Sequence, residues 1–292
     1  MQSRHATDDT RHGHGTGRAA AGLMLSVILT LGTGACSPPP EPPTPEASTP
    51  EASTPEAPTV EPPTVRPSPR AELADSATYP WHTNIVATTF WVGEIFDPQA
   101  PDGSQTYSTY DSAWLQSYGG CDGVVADGTC RTEARTASNG YFPTRMTPRE
   151  NPFYLDLPYD DIHNGAAFEE RARVIPWAGG AAYAGKGTDT AFSYMKNRWV
   201  RIRSGGRECY GQIQDAGPGQ YQDTAYVFGA DDARPANRRF NGAGMDVSPA
   251  LNGCLGFKQL NGQEDRVDWQ FVDAGAVPPG PWTSIVTTRQ VQ

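Results

Sequence analysis

Apolar and polar positions alternate in four stretches of the chain: ATTFWVGEI (87–95), RWVRIRSG (198–205), CYGQIQDAG (209–217) and VDWQFVDA (267–274). A two-residue period sends successive side chains to opposite faces, so each stretch predicts a strand with one face in a core. Long amphipathic helical patterns are absent. The clearest helix start lies in GAGMDVSPALNGCLGF (242–257), where Ser248 suits the N-cap and Pro249 the first helical position. Gly242 and Gly244 just before it permit positive φ or close approach of another strand, which sets Asp246 on a tight strand-to-helix junction. A carboxylate there serves either capping or chemistry.

The first 70 residues follow a different pattern. Arg4, Arg11 and Arg18 precede an uncharged apolar run, AAAGLMLSVILTL (19–31), and small residues GTGAC (32–36) follow it. This layout predicts a signal peptide over 1–35; the run is shorter than the roughly 20 residues a membrane span needs. TGAC resembles the lipobox of bacterial lipoproteins, with Thr33 where Leu is usual. The resemblance implies that Cys36 is lipidated and heads the mature protein, which places it outside the cytoplasm on a bacterial membrane. The alternative is an ordinary signal peptide cut elsewhere and a secreted product. Residues 36–70 are rich in Pro, Thr and Glu and include the repeat TPEAS TPEAS TPEAP. Such a segment builds no core and predicts a disordered, extended tether with a reach on the order of 100 Å.

Residues 71–292 hold one domain's worth of chain, frequent in Gly and aromatic residues, which favours an all-β fold. With 33 Asp and Glu against 23 Lys and Arg, net charge −10, the chain is a poor partner for nucleic acid or an anionic membrane surface. A neutral or mixed-charge polymer fits better, with membrane contact only through Cys36, no cofactor, and a monomeric state. Cys121, Cys130, Cys209 and Cys254 form an even set that allows three pairings in an exported protein; proximity favours Cys121 with Cys130, leaving Cys209 with Cys254. No CxxC or HxxxH pair is present, and His82 and His163 are the nearby histidines, so no metal site is expected.

WVRIRSGGRECYGQIQDAGP (199–218), followed some thirty residues later by GAGMDVSPAL (242–251), resembles the C-terminal half of a double-psi β-barrel of the rare-lipoprotein-A-like and expansin-like proteins, relatives of barwin. ATTFWVGE (87–94) is similar to the Ala-Thr-Phe-Tyr-Gly opening of expansins. The resemblance covers roughly 88–272. It implies a six-stranded double-psi β-barrel with short helices and long inserted loops, acting on cell-wall or extracellular polysaccharide. Two departures stand out. An insertion over about 92–140 and a segment over 177–197 exceed simple barrel loops and read as decorations. Peptidoglycan-cleaving members also carry a histidine where MTPRENPFYLDLPYDD (146–161) places Glu150.

Asp215 and Asp246 are the pair best suited to chemistry. Two carboxylates facing one groove divide labour, one donating a proton to a glycosidic oxygen and the other staying ionised. Asp246, between Met245 and Val247, is the general-acid candidate; Asp215, in a polar turn, is expected to remain charged. Glu150 is a third candidate, from its register alone. The bland alternative makes Asp215 an Asx-turn and Asp246 a helix cap. Thr89, Trp91, Tyr154, Tyr159, Asp160 and Tyr210 are candidate sugar contacts, because aromatic faces bury C–H surface while polar groups satisfy hydroxyls. NPFYLDLPYDD (151–161), with its prolines, reads as a fixed loop that carries several of them. His163 could shuttle a proton. Asp122 and Asp127 read as hairpin turns rather than a calcium loop. Trp199, Trp269 and Phe271 are assigned to packing. Three functions follow: a non-hydrolytic expansin-like binder, a glycan-cleaving enzyme (glycoside hydrolase or lytic transglycosylase), and a surface module that binds protein.

Overall fold

Six of the alternating or buried segments close into one ring. The computed structural model describes residues 79–100, 103–260 and 264–292; the expected signal peptide, Cys36 and the Pro-rich tether lie outside them. The described residues all belong to the unit Arg66–Gln292. Strands β1 (His82–Thr89), β4 (Tyr154–Leu157), β5 (Trp199–Ser204), β6 (Arg207–Ala216), β7 (Met245–Val247) and β8 (Asp265–Val272) form a closed barrel in the order β1-β7-β4-β6-β5-β8. Closure removes sheet edges, which an exposed antiparallel sheet would have to protect. Strands β2 (Val124–Ala126) and β3 (Thr129–Arg131) make a separate hairpin in the insertion.

The barrel is mixed. Strand β8 runs antiparallel to both β1 and β5, β5 to β6, and β4 to β7, whereas β1/β7 and β4/β6 are parallel pairs. This six-stranded, closed, mixed arrangement is compatible with a double-psi barrel. The β5–β6 hairpin turns through Gly205 and Gly206, both at positive φ (54° and 82°), as a two-residue turn matched to strand twist requires. Asp127 and Gly128, at 52° and 74°, make the same kind of turn between β2 and β3, so Asp127 has a hairpin role.

Inside the ring, Ile85, Leu155, Val200, Ile213, Val247 and Trp269 are at most 1% exposed, and each such side chain contributes on the order of 1.5–3 kcal/mol by burial. Helix α4 (Pro249–Leu255) caps one end, with Ser248 Oγ accepting from Leu251 N at 3.2 Å and Pro249 at its first turn. The Cys209–Cys254 disulfide ties that helix to β6, and Cys121–Cys130 closes the β2–β3 hairpin. Both bonds fit an oxidising, extracytoplasmic compartment.

Two segments differ from the sequence-based expectation. NPFYLDLPYDD is not a loop: its centre is β4, four buried residues bracketed by Pro152 and Pro158 and paired on both sides. Burial on both faces erases the polar–apolar alternation that reveals a strand. A helix, α2 (Gly165–Val174), follows, started by Asn164 accepting from Ala167 N at 3.1 Å. Its buried Arg171 donates to the carbonyls of Asp161, Lys186, Gly187, Asp189 and Phe192, and so organises the segment that leads into β5.

Candidate active site

Asp246 sits at the centre of β7, a strand of three residues held between β1 and β4. Its register partners are Thr88 on β1 and Asp156 on β4; Asp156 in turn pairs with Asp215 on β6. Three carboxyl groups therefore occupy one rung of the barrel on adjacent strands. Like charges directly across a sheet are destabilising, and this rung places three together. All three line a groove of about 1000 Å³, and so do Thr88, Thr89, Trp91 and Asp160.

The hydrogen bonds differ from one carboxyl to the next. Asp215 Oδ1 accepts from Thr109 N at 2.7 Å and from Ala216 N at 2.8 Å. Asp156 Oδ1 accepts from Asp246 N at 2.9 Å. Asp156 Oδ2 lies 2.8 Å from where a Cβ on Gly217 would stand, so this close approach needs glycine. Asp246 Oδ1 is shielded from solvent and has no hydrogen-bond partner among the described residues. It does not cap α4, a role that Ser248 fills.

Electrostatics follow from that inventory. Burial lifts Asp246 to about 7, with the charge of Asp215 adding to it. Burial lifts Asp215 only to about 6, because the amides of Thr109 and Ala216 stabilise its charged form. Asp156 is pushed well above the carboxylate range, by burial first and then by Asp246 and Asp215. Half-buried Glu94, also in the groove, is raised to about 8 by burial, against a backbone hydrogen bond with Trp91, while Asp246 adds to the rise. All three carboxyls of the rung are thus held above their ordinary range, with Asp215 offset by two backbone amides.

The insertion builds one wall. Glu94, Phe96, Asp97, Gln105, Tyr107 and Thr109 line the groove, so this segment is part of the site rather than a decoration. Trp91 Nε1 donates to Cys130 O at 3.2 Å. A Cβ on Gly93 would stand 2.9 Å from Cys130 Sγ, so the Cys121–Cys130 bond packs directly against the turn that carries Trp91 and Glu94. Exposed aromatics on the groove are Phe96, Tyr107, Tyr221 and Phe240. His163 also lines it, with Nδ1 3.8 Å from Asp160 Oδ2.

The remaining expected residues lie elsewhere. Tyr154 is fully buried behind the insertion, its hydroxyl donating to Asp122 Oδ2 at 2.8 Å and accepting from Val92 N. Tyr159 is buried with its hydroxyl on Ala167 O, and Tyr210 packs with Trp199, Val272 and Trp282. A tyrosine hydroxyl needs only a local acceptor to be buried, and each of these has one. Glu150 is buried outside the groove, raised by burial, with Lys196 opposing that rise. Asp122 forms a buried ion pair with Arg135 at 2.7 Å. Trp269 and Phe271 are core residues, and Trp199 packs as expected. Sequence reasoning missed Asp156 and Glu94. The signal for the first was an acid inside the short apolar run YLDL, and for the second an acid directly after the apolar WVG.

Among the described residues, no group of three or more His, Cys, Asp or Glu is arranged to hold a metal ion, and none of their helices is long and apolar enough to cross a membrane. In comparisons with known proteins, no family model matches the chain and no curated protein matches it.

Proposed function

We propose that this protein is an extracytoplasmic, Cys36-anchored relative of the rare-lipoprotein-A-like and expansin-like barrels, and that its groove binds a polysaccharide strand and cleaves it by acid catalysis. The observation that carries the reading is the rung itself: three adjacent carboxyls line a groove, and one of them, Asp246, has an oxygen with no hydrogen-bond partner among the described residues. Fold stability alone gives no reason for that arrangement, since unpaired buried carboxyls are costly. Sites that donate a proton at neutral pH need a carboxyl held above its ordinary range beside another that stays charged.

In the proposed reaction Asp246 gives its proton to the glycosidic oxygen as the C1–O bond breaks. The positive charge that develops on the sugar is stabilised by the Asp215 carboxylate. Water or a hydroxyl of the same sugar then adds to C1 and returns a proton to the emptied carboxylate. Asp156 holds the Asp246 backbone and keeps the rung short of counter-charge. Thr88, Thr89 and the exposed aromatics supply hydroxyl contacts and stacking faces.

The test is mass spectrometry of soluble products after the full-length protein is incubated with peptidoglycan strands, cellulose, chitin and chitosan. Fragments with new reducing or anhydro ends support cleavage. A second reading, expansin-like binding without cleavage, draws on the exposed aromatics; pull-down by an insoluble glycan without fragments would favour it. Absence of both binding and fragments would reject both glycan readings and leave a protein-binding module.

A further inference from the structure

We infer that Lys196 is a positioning residue for Asp215: it clamps the turn of the insertion that lays a backbone amide on that carboxyl. This rests on the glycan reading above and adds what prepares the acid that must stay charged. Asp215 differs from its rung neighbours in the two amides that meet its Oδ1. That of Ala216, at 2.8 Å, comes with β6 itself, whereas that of Thr109, at 2.7 Å, belongs to a segment 106 residues away. The Thr109 hydroxyl favours the charged form as well. Tertiary structure must therefore bring Thr109 to the rung. The carboxyls in the field of Asp215 are Asp156, Asp160 and Asp246, and Lys196 is a cation in it.

Thr109 and Tyr110 are the central pair of a tight turn, closed by Ser108 N on Asp111 O at 2.8 Å and Asp111 N on Ser108 O at 3.3 Å. Thr109 N goes to Asp215, and Tyr110 O accepts from Lys196 Nζ at 3.3 Å and from Gln292 N at 3.0 Å. Lys196 Nζ also donates to Gln290 O at 3.3 Å, so one ammonium holds both the turn and the segment that braces it. Lys196 is 4% exposed, and its own backbone is fixed just before β5 by Ser193 Oγ, which accepts from Lys196 N at 2.8 Å. Burial lowers its pKa; Glu150, Asp111 and Asp215 favour the ammonium form and Arg289 opposes it. Glu150, outside the groove, thus supplies counter-charge to the clamp. Burying an amine costs desolvation that two carbonyl acceptors only partly offset, so fold stability is a weak reason for a lysine here.

Amide hydrogen exchange of the full-length wild type and its Lys196→Met variant, resolved by NMR, tests this, because Asp215 Oδ1 carries its own control. In the variant the Thr109 amide is expected to exchange roughly tenfold faster or more, while the Ala216 amide on the same oxygen keeps its protection. The Asp215 carboxyl, at about 6 in the wild type, should titrate about one unit higher. Should Lys196→Met fail to fold, Lys196→Gln carries the same comparison: its amide, one bond shorter and uncharged, does not span Tyr110 O and Gln290 O together. Unchanged exchange at Thr109, or equal loss of protection at Thr109 and Ala216, overturns the inference. These readouts need no glycan. Where the wild type also releases glycan fragments, the acidic limb of its pH profile should move to higher pH by the same unit in the variant, and an unmoved limb overturns the inference. A wild type that releases none counts against the cleavage reading and leaves the exchange result to decide the role of Lys196.

Discussion

Buried charge is handled in two opposite ways in this barrel. Arg171 and Asp122 are buried with their partners supplied by the protein: Arg171 donates to five carbonyls and lies 3.7 Å from Asp161, and Asp122 meets both Arg135 and the Tyr154 hydroxyl. Asp161 likewise accepts from Ser193 Oγ at 2.6 Å and Tyr194 N at 2.7 Å. On the rung, the charges felt by Asp156 and Asp246 are those of other carboxyl groups, and Asp246 Oδ1 has no partner among the described residues. The first arrangement holds loops to a barrel; in the proposed reading the second holds a proton for a ligand. Burial alone does not identify a site, since both regions are buried. What distinguishes them is the charge that each group faces: Asp122 and Asp161 face Arg135 and Arg171, whereas the rung carboxyls face one another.

The comparison is most sharply broken by removing partners from the saturated region. Arg171→Leu should lower the unfolding free energy by ~3–5 kcal/mol, because five carbonyls lose their donor and the Asp161 carboxylate its counter-charge together. Denaturant titration measures this, and limited proteolysis should open the chain between residues 175 and 197. An unchanged midpoint would mean that Arg171 does not organise that segment. Next in size is the covalent link between the two halves of the rung's support. Replacing Cys209 and Cys254 by Ser should cost up to about 4 kcal/mol, from a loop of 45 residues in the chain-entropy model. Non-reducing peptide mapping should recover Cys209 joined to Cys254; Cys209 joined to Cys121 or Cys130 would contradict the fold as described.

The pH dependence of stability has a definite sign. A carboxyl whose folded value is raised binds its proton more tightly in the folded state, so its contribution is present at low pH and lost as pH rises through the window between the two values. For Asp246 that window runs from its ordinary 3.8 to about 7, and for Asp215 to about 6. Unfolding free energy should thus fall by about 1 kcal/mol or more between pH 4 and pH 7 on account of the rung. Asp246→Asn should flatten that slope in denaturant titrations across the range; an identical slope in the variant would place the titration elsewhere. The smallest effect concerns Asp156→Asn. It keeps an acceptor for Asp246 N, removes the cost of holding a buried carboxyl protonated at pH 7, and should raise stability there by about 1 kcal/mol or less. Asp122→Asn should do the opposite, since it weakens a satisfied ion pair. Matching signs for the two would remove the distinction drawn here.

Much of this was legible in the chain. The stretches at 198–205, 209–217 and 267–274 become β5, β6 and β8, whereas the one at 87–95 meets β1 only over Ala87–Thr89 and continues as the turn that carries Trp91 and Glu94. Ser248 and Pro249 start α4 through local chemistry that needs no tertiary information. Asp215 and Asp246 stood out because glycines and turns flank them. Strand β4 did not, since residues buried on both faces show no period, and four residues between two prolines resemble a loop. Asp156 was hidden with it. The tyrosines misled for a related reason: an aromatic ring with a hydroxyl suits both a sugar and a core, and only the position of an acceptor such as Asp122 or Ala167 O decides. The insertion's part in the groove depends on contacts across a long sequence separation, such as Thr109 N with Asp215 Oδ1, which no local pattern encodes.

The central claim is that the unpartnered carboxyl of Asp246 exists to give its proton to a glycan. It is tested most directly by quantifying soluble fragments released from a polysaccharide panel by the full-length protein and its Asp246→Asn variant, with glycan binding and Tm measured in parallel. The account predicts release by the wild type that falls by roughly 10²-fold or more in the variant, while binding and Tm change little. Equal release by both proteins, or a wild type that neither binds nor cleaves any member of the panel, would contradict it.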